Sequence, residues 1–187
     1  MKTAVKIAVA AALTMGISNF ASAAGSNTGT VTFTGTVEDS PCSVVVGDEH
    51  QTVNLGHIGT GSLLGGKASE AVKFNIRLTN CAFGTEKDAS TVFTPDGNES
   101  TLNPGNIALM RIGGEMKGSS IVIADRQGSP VALGTALKEA LTMNGAVAVA
   151  DQTLHYQAWI KGDATSTATT IDTGEFSSTV NFTISYL

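Results

Sequence analysis

Few residues of this 187-residue chain have types suited to chemistry: three histidines, two cysteines and one tryptophan among scattered carboxylates. His50 follows Asp48 and Glu49, a donor set that suits a metal. The spacing of a multidentate site is missing, however, so a solvated acidic loop is the simpler reading. His155 falls on the polar parity of an alternating segment and reads as a surface residue. Asp125-Arg126 lies in the turn DRQGSP, where local pairing is expected. Trp159 shares a face with His155, Gln157 and Lys161, but one aromatic alone does not define a sugar platform. A partly covered sheet residue is preferred. Asn98-Glu99-Ser100 and Asn181-Phe182-Thr183 match a glycosylation sequon and are read as chance matches. GxSxG, HExxH and a Gly-rich phosphate loop ahead of a helix are all missing. No catalytic residue is assigned, no enzyme is expected, and no cofactor or metal is called for.

The cysteines take their meaning from the N-terminus. Lys2 and Lys6 precede a mostly apolar run, Ile7 to Ile17, and Ala21-Ser22-Ala23 has the small-x-small form of a signal-peptidase site. Residues 1–23 therefore read as a leader, cleaved after Ala23 or after Ala24. The apolar run is too short for a membrane span. Cleavage after Ala23 leaves 164 of the 187 residues, enough for one domain with a proper core. In an exported chain, two cysteines pair: Cys42 and Cys81 are expected to form one disulfide. Closing a loop of about 40 residues stabilises by about 4 kcal/mol on the chain-entropy account. A zinc site is disfavoured, because neither CxxC spacing nor a nearby His pair is present. Loss of Lys2 and Lys6 from the 11 basic side chains leaves 9 against 16 acidic, a balance of −7. Such a charge argues against nucleic acid and against an anionic membrane surface as partners.

The rest of the sequence reads as strands. In GEFSSTVNFTISYL (174–187), Phe176, Val180, Phe182, Ile184 and Tyr186 share one parity and polar residues fill the other. Period-two alternation is the mark of a strand with one buried face. Val72–Leu78 and Leu154–Lys161 alternate in the same way. Segment 29–38 (GTVTFTGTVE) sets Val31, Phe33 and Val37 against a row of threonines. Shorter candidates are Cys42–Val46, Gln51–Leu55, Thr91–Thr94, Asn106–Ile112, Ser120–Ala124 and Val131–Leu133. Pro95-Asp96-Gly97 and Gly113-Gly114 supply turns. Thr135–Met143 holds helix formers and is expected to form one or two helical turns. About eight short strands with at most one short helix predict an antiparallel, Greek-key β-sandwich.

Three features together resemble the structural pilins of chaperone–usher fimbriae, the type 1 and P pilus group. They are GTVTFTGTVEDSPC ending in Cys42, FNIRLTNC ending in Cys81, and a C-terminal alternating strand with Gly174 ahead of it and Tyr186 penultimate. The resemblance implies an incomplete immunoglobulin-like sandwich that lacks its final strand. It implies completion by donor-strand complementation, first by a periplasmic chaperone and then, at an outer-membrane usher, by the N-terminal extension of the next subunit. Chaperone–pilin complementation is a standing example of such β-strand addition. On this reading residues 24–37 are the extension and 38–187 the pilin domain. Gly29, Val31, Phe33 and Val37 form the donor strand. Gly174, Phe176, Val180, Phe182, Ile184 and Tyr186 wall the receiving groove. The segment ahead of Gly29 departs from the family by offering no bulky apolar side chain, which leaves Asn27 or a shifted register to begin the exchange.

The expected function is that of a surface fimbrial subunit, the major shaft pilin, polymerising head to tail with copies of itself and supporting cell adhesion. It would be exported through the periplasm without inserting into a membrane. A minor or adaptor pilin is the alternative within the same system. A monomeric exported carbohydrate-binding sandwich is the alternative from another class, and it predicts that residues 24–37 pair within their own chain.

Overall fold

Alternation along the chain is converted into ladders wherever a partner edge exists. The structure, a computed structural model, describes residues 28–187; the expected leader lies outside the described residues. The chain divides into two units, Met1–Glu38 and Asp39–Leu187. In the first unit, residues 28–38 take neither helix nor strand. Val31, Phe33 and Val37 there are 74%, 90% and 102% exposed. The strand expected over 29–38 is thus not formed in this single chain, because a strand needs a neighbour to accept its hydrogen bonds.

The second unit contains eleven strands: β1 (Ser43–Val44), β2 (Val72–Thr79), β3 (Asp88–Pro95), β4 (Ile107–Arg111), β5 (Gly114–Ala124), β6 (Pro130–Val131), β7 (Ala136–Ala140), β8 (Met143–Asn144), β9 (Val147–Ala148), β10 (Gln152–Gly162) and β11 (Val180–Tyr186). The larger sheet runs β1-β2-β10-β5-β4, with β6 also paired to β5. The smaller sheet runs β11-β3-β7, and β8-β9 is a separate hairpin. Every pairing is antiparallel. This is the incomplete immunoglobulin-like sandwich.

Facing rows from the two sheets make the core. β10 contributes Leu154, Tyr156, Ala158 and Ile160, β2 contributes Ile76 and Leu78, and β3 contributes Ala89 and Phe93, all buried. The Phe93 ring meets Tyr156 edge-on, 5.1 Å between centroids, a favoured aromatic geometry. The Tyr156 and Thr91 hydroxyls lie 2.6 Å apart and bond the two sheets through the core. Burial pushes the Tyr156 phenol well above its ordinary value, and the Thr91 bond opposes this only in part. The phenol therefore stays neutral, as a group in an apolar interior must. The Cys42–Cys81 disulfide ties the start of β1 to the residue two beyond β2, across 39 positions.

Three segments differ from expectation. Residues 136–140 form strand β7 rather than a helix. Helix propensity is worth only tenths of a kcal/mol per residue, and the ladder from Asp88↔Ala140 to Val92↔Ala136 overrides it. Gln51–Leu55 forms no strand, and the closing strand begins at Val180 instead of at Gly174. Both shortfalls lie along one side of the sandwich.

The outer edge of β2 is satisfied by side chains once the two-residue β1 ends. Asp48 accepts from the Arg77 backbone N–H at 2.8 Å and from its guanidinium at 2.7 and 2.9 Å. The Gln51 amide donates to the Asn75 carbonyl at 3.1 Å. The hydrogen bonds from the Arg77 side chain hold the Asp48 carboxyl below its ordinary value of 3.8. A depressed carboxylate stabilises the fold above its unfolded pKa, and the contribution disappears as pH falls through the folded value. Asp48→Asn should therefore melt below wild type at pH 7, with the gap closing as pH drops below 3.8. Thermal unfolding followed by circular dichroism checks this. An undiminished gap at about pH 3 would show that packing, not charge, carries the effect.

Candidate functional site

The inward-facing row of β11 is not covered as its counterparts are. Leu154, Tyr156, Ala158 and Ile160 on β10 are each 6% exposed or less. Val180, Phe182, Ile184 and Tyr186 pack against the same core yet remain only half-buried. Tyr186 rests on the Phe83 ring, 5.7 Å between centroids. Partial burial raises its phenol, and a hydrogen bond with Ser40 opposes the shift.

The backbone of β11 is open on the same side. Its one ladder neighbour among the described residues is β3. Leu187 and Asp88 exchange both backbone hydrogen bonds, at 2.9 and 3.1 Å. In an antiparallel pair such doubly bonded positions alternate with positions whose N–H and C=O point away. Ser185, Thr183 and Asn181 therefore bond to β3. Val180, Phe182, Ile184 and Tyr186 turn their backbone groups to the free edge. The residues whose side chains are half-covered are the same residues whose main chain is unpaired.

A second unpartnered segment lies across a cleft from the residues that lead into β11. Val53, Leu55 and Ile58 are half-buried, Leu55 and Ile58 against the core, while Thr52, Asn54, Gly56 and His57 are exposed. Across Thr52–Ile58 no backbone–backbone hydrogen bond is made among the described residues. The alternation belongs to a strand, and the ladder is missing. A cleft of about 700 Å³ separates residues 52–59 from Gly174, Glu175 and Phe176. Gly174 has φ of 134° and is exposed, a backbone state that glycine takes without strain. Phe176 is half-buried at the cleft wall.

The structure thus sets Val180, Phe182, Ile184 and Tyr186 in one row along β11, and places Gly174 and Phe176 at the cleft opposite residues 52–59. It places Gly29, Val31, Phe33 and Val37 in the separate unit. Val53, Leu55 and Ile58 form a wall that the sequence reading overlooked. The short alternation in QTVNL was its only signal. The other candidates are absorbed by structure. Asp48 is committed to Arg77, with Glu49 and His50 exposed. His155 Nδ1 lies 2.9 Å from Glu139. Asp125 accepts from the Gln127 and Ser129 N–H groups at 2.8 Å, instead of pairing with Arg126. Trp159 is half-buried.

A sandwich left open along the outer edge of β11 points to a particular family, and comparison with known proteins decides it. The fimbrial protein family model matches residues 31–187. The chain belongs to the fimbrial protein family. It is 36% identical to the Fimbria A protein of Serratia marcescens over 97% of both chains. It is 33% identical to the Major MR/P fimbria protein of Proteus mirabilis over 91% of this chain and 90% of that one. A subunit in a solved chaperone–usher pilus superposes with a TM-score of 0.68 at 25% identity, covering 87% of this chain and 98% of that one. The P pilus rod subunit PapA shares the fold with a TM-score of 0.61 at 22% identity, over 79% and 100% of the two chains. This fimbrial chain is accordingly a structural subunit of the chaperone–usher type, and its relatives are structural pilins rather than enzymes.

The register of β11 gives an alternating exchange pattern. In a subunit whose cleft is empty, the amides of Phe182, Ile184 and Tyr186 should exchange with deuterium much faster than those of Thr183, Ser185 and Leu187. Residue-resolved hydrogen exchange by NMR measures it. Equal protection at both parities would mean that the outer edge is already paired.

Proposed function

We propose that the cleft between residues 52–59 and residues 174–176, continued along the open edge of β11, receives a strand from another protein, and that this chain is the major shaft subunit of a surface fimbria built by donor-strand exchange. One observation carries the reading: the unpaired backbone edge of β11 belongs to the same residues as its half-covered apolar row. An added strand would satisfy that edge and cover the row at once. A stand-alone sugar-binding module has no use for such a gap.

The strand comes first from a periplasmic chaperone and then, at an outer-membrane usher, from residues 27–37 of the next copy. Residues 1–23 are the leader, 24–37 the donor extension and 38–187 the receiving domain. Val31, Phe33 and Val37 are exposed and share a parity with Gly29. Fully burying Val31 and Phe33 is worth roughly 1.5–3 kcal/mol each. Residues 27–37 fully extended reach about 36 Å, and 176–186 is a segment of equal length. Running antiparallel to β11, the donor sets Val37 near Phe176 and Asn27 near Tyr186. The contact joins different surfaces of two copies, so it propagates head to tail into a filament. The relative named as a major fimbria protein favours the shaft over an adaptor position.

Surface material from expressing cells, run unboiled on a denaturing gel, should give a heat-sensitive ladder that is lost when residues 24–37 are deleted. Plain monomer from the intact chain would sink the proposal. Phe33→Asp should abolish the ladder while leaving the chaperone-held subunit in the periplasm, because an aspartate cannot enter an apolar groove unpaired. Normal filaments from that variant, seen by electron microscopy, would show the donor assignment to be wrong.

A further inference from the structure

The segment between Gly174 and β11 is anchored where the gap ends. Ser178 turns its hydroxyl into the edge of β4, donating to the Ala108 carbonyl at 2.6 Å and accepting from the Met110 N–H at 3.0 Å. The Ser177 N–H donates to the Met110 carbonyl at 2.8 Å. The β4–β5 register slips between Ala108 and Met110, and the Ser178 hydroxyl bridges the backbone groups on either side of that irregularity. Asn98 holds the next residue. Its side-chain amide donates to the Thr179 carbonyl at 2.6 Å, and its side-chain oxygen accepts from the Asp96 N–H at 3.1 Å. Its own carbonyl accepts from the Ala108 N–H at 2.8 Å. Asn98 is 6% exposed, so its place in a sequon reflects this buried role rather than a sugar.

Residues 177–179 are thereby clamped to β4 of the larger sheet immediately before β11 joins the smaller one. Beyond the clamp, Gly174, Glu175 and Phe176 make no ladder contact and form the end wall of the cleft. Whatever fixes that wall's distance from residues 52–59 fixes how much of an incoming strand is held.

We infer that Ser178 and Asn98 are positioning residues that set the far end of the receiving cleft, and so select how tightly the Gly35–Val37 end of the donor is gripped. The inference rests on the strand-receiving reading above. Neither side chain touches the donor. They act through Phe176 and Gly174, and their effect is confined to the donor residues that reach that end. The row from Phe182 to Tyr186 is held by its ladder with β3 and does not depend on them.

The test loads full-length subunit from its chaperone complex with synthetic peptides of residues 27–37 or 27–33 and follows peptide release by fluorescence. Wild type should release the longer peptide more slowly. Ser178→Ala should speed its release about tenfold, the scale of one lost hydrogen-bonded anchor, and leave the 27–33 peptide unchanged. Ser178→Thr, which keeps the hydroxyl, should restore the wild-type rate. Asn98→Asp, which keeps the shape and loses the donor to Thr179, should act as Ser178→Ala does and stands in for it if the alanine variant does not fold. Equal acceleration of both peptides would reduce the clamp to general stability and overturn the inference. So would no change in either. Failure of wild type to take up either peptide would overturn the strand-receiving reading itself, and the clamp's role with it.

Discussion

An apolar row that faces a core without being covered by it is the constraint on which this subunit depends. Val180, Phe182, Ile184 and Tyr186 are committed inward by their ladder with β3. A one-residue slip would turn all of them outward, so register cannot relieve the exposure. The main chain of the same residues faces the gap. The exposed surface and the unpaired edge therefore call for the same remedy, a strand lying antiparallel or parallel alongside. A loose apolar ligand would cover the side chains and leave the backbone unpaired.

The remainder of the sandwich is arranged to hold that gap open without collapse. The disulfide fixes the beginning of β1 against the end of β2. Asp48 and Gln51 cap the edge of β2 with side chains once the ladder stops. The Thr91–Tyr156 bond joins the sheets behind the row. At the far end Ser178 and Asn98 tie residues 177–179 to the other sheet. Among the described residues no buried side-chain polar atom lacks a hydrogen-bond partner. The incompleteness is confined to one groove, while the rest of the interior is packed and satisfied as in a finished domain.

Much of this was legible in the residues themselves. The long strands β2, β10 and β11 follow from alternation, and a turn at Ile112-Gly113, one residue before the expected Gly113-Gly114, separates β4 from β5. The leader context made a Cys42–Cys81 bridge the natural reading. What failed did so for local reasons. Ala136–Ala140 carries helix formers, and its strand state comes from the β3 edge beside it. Gln51–Leu55 and 174–176 have strand pattern without strand structure: among the described residues neither is paired in a ladder. The second wall of the cleft, Val53, Leu55 and Ile58, lay in and beside a segment read as a short strand, and its place opposite Gly174, Glu175 and Phe176 depends on the folded chain.

Sequence by itself determined which faces of the strands are apolar, the all-β architecture, and the alternation of Gly29 to Val37. These depend on side-chain type and period, which are local properties. Tertiary structure alone decided that the β11 row is left half-covered, that its unpaired backbone groups belong to the same residues, and that residues 52–59 stand across a cleft from Gly174, Glu175 and Phe176. It also decided the partners of Ser178 and Asn98, 70 and 81 positions from Ala108 and Thr179 respectively. Hydrogen-bond pairing and burial are relations between distant segments. A strand's own residues state that it wants a neighbour, and only the folded chain shows that, among the described residues, β11 has one on a single side.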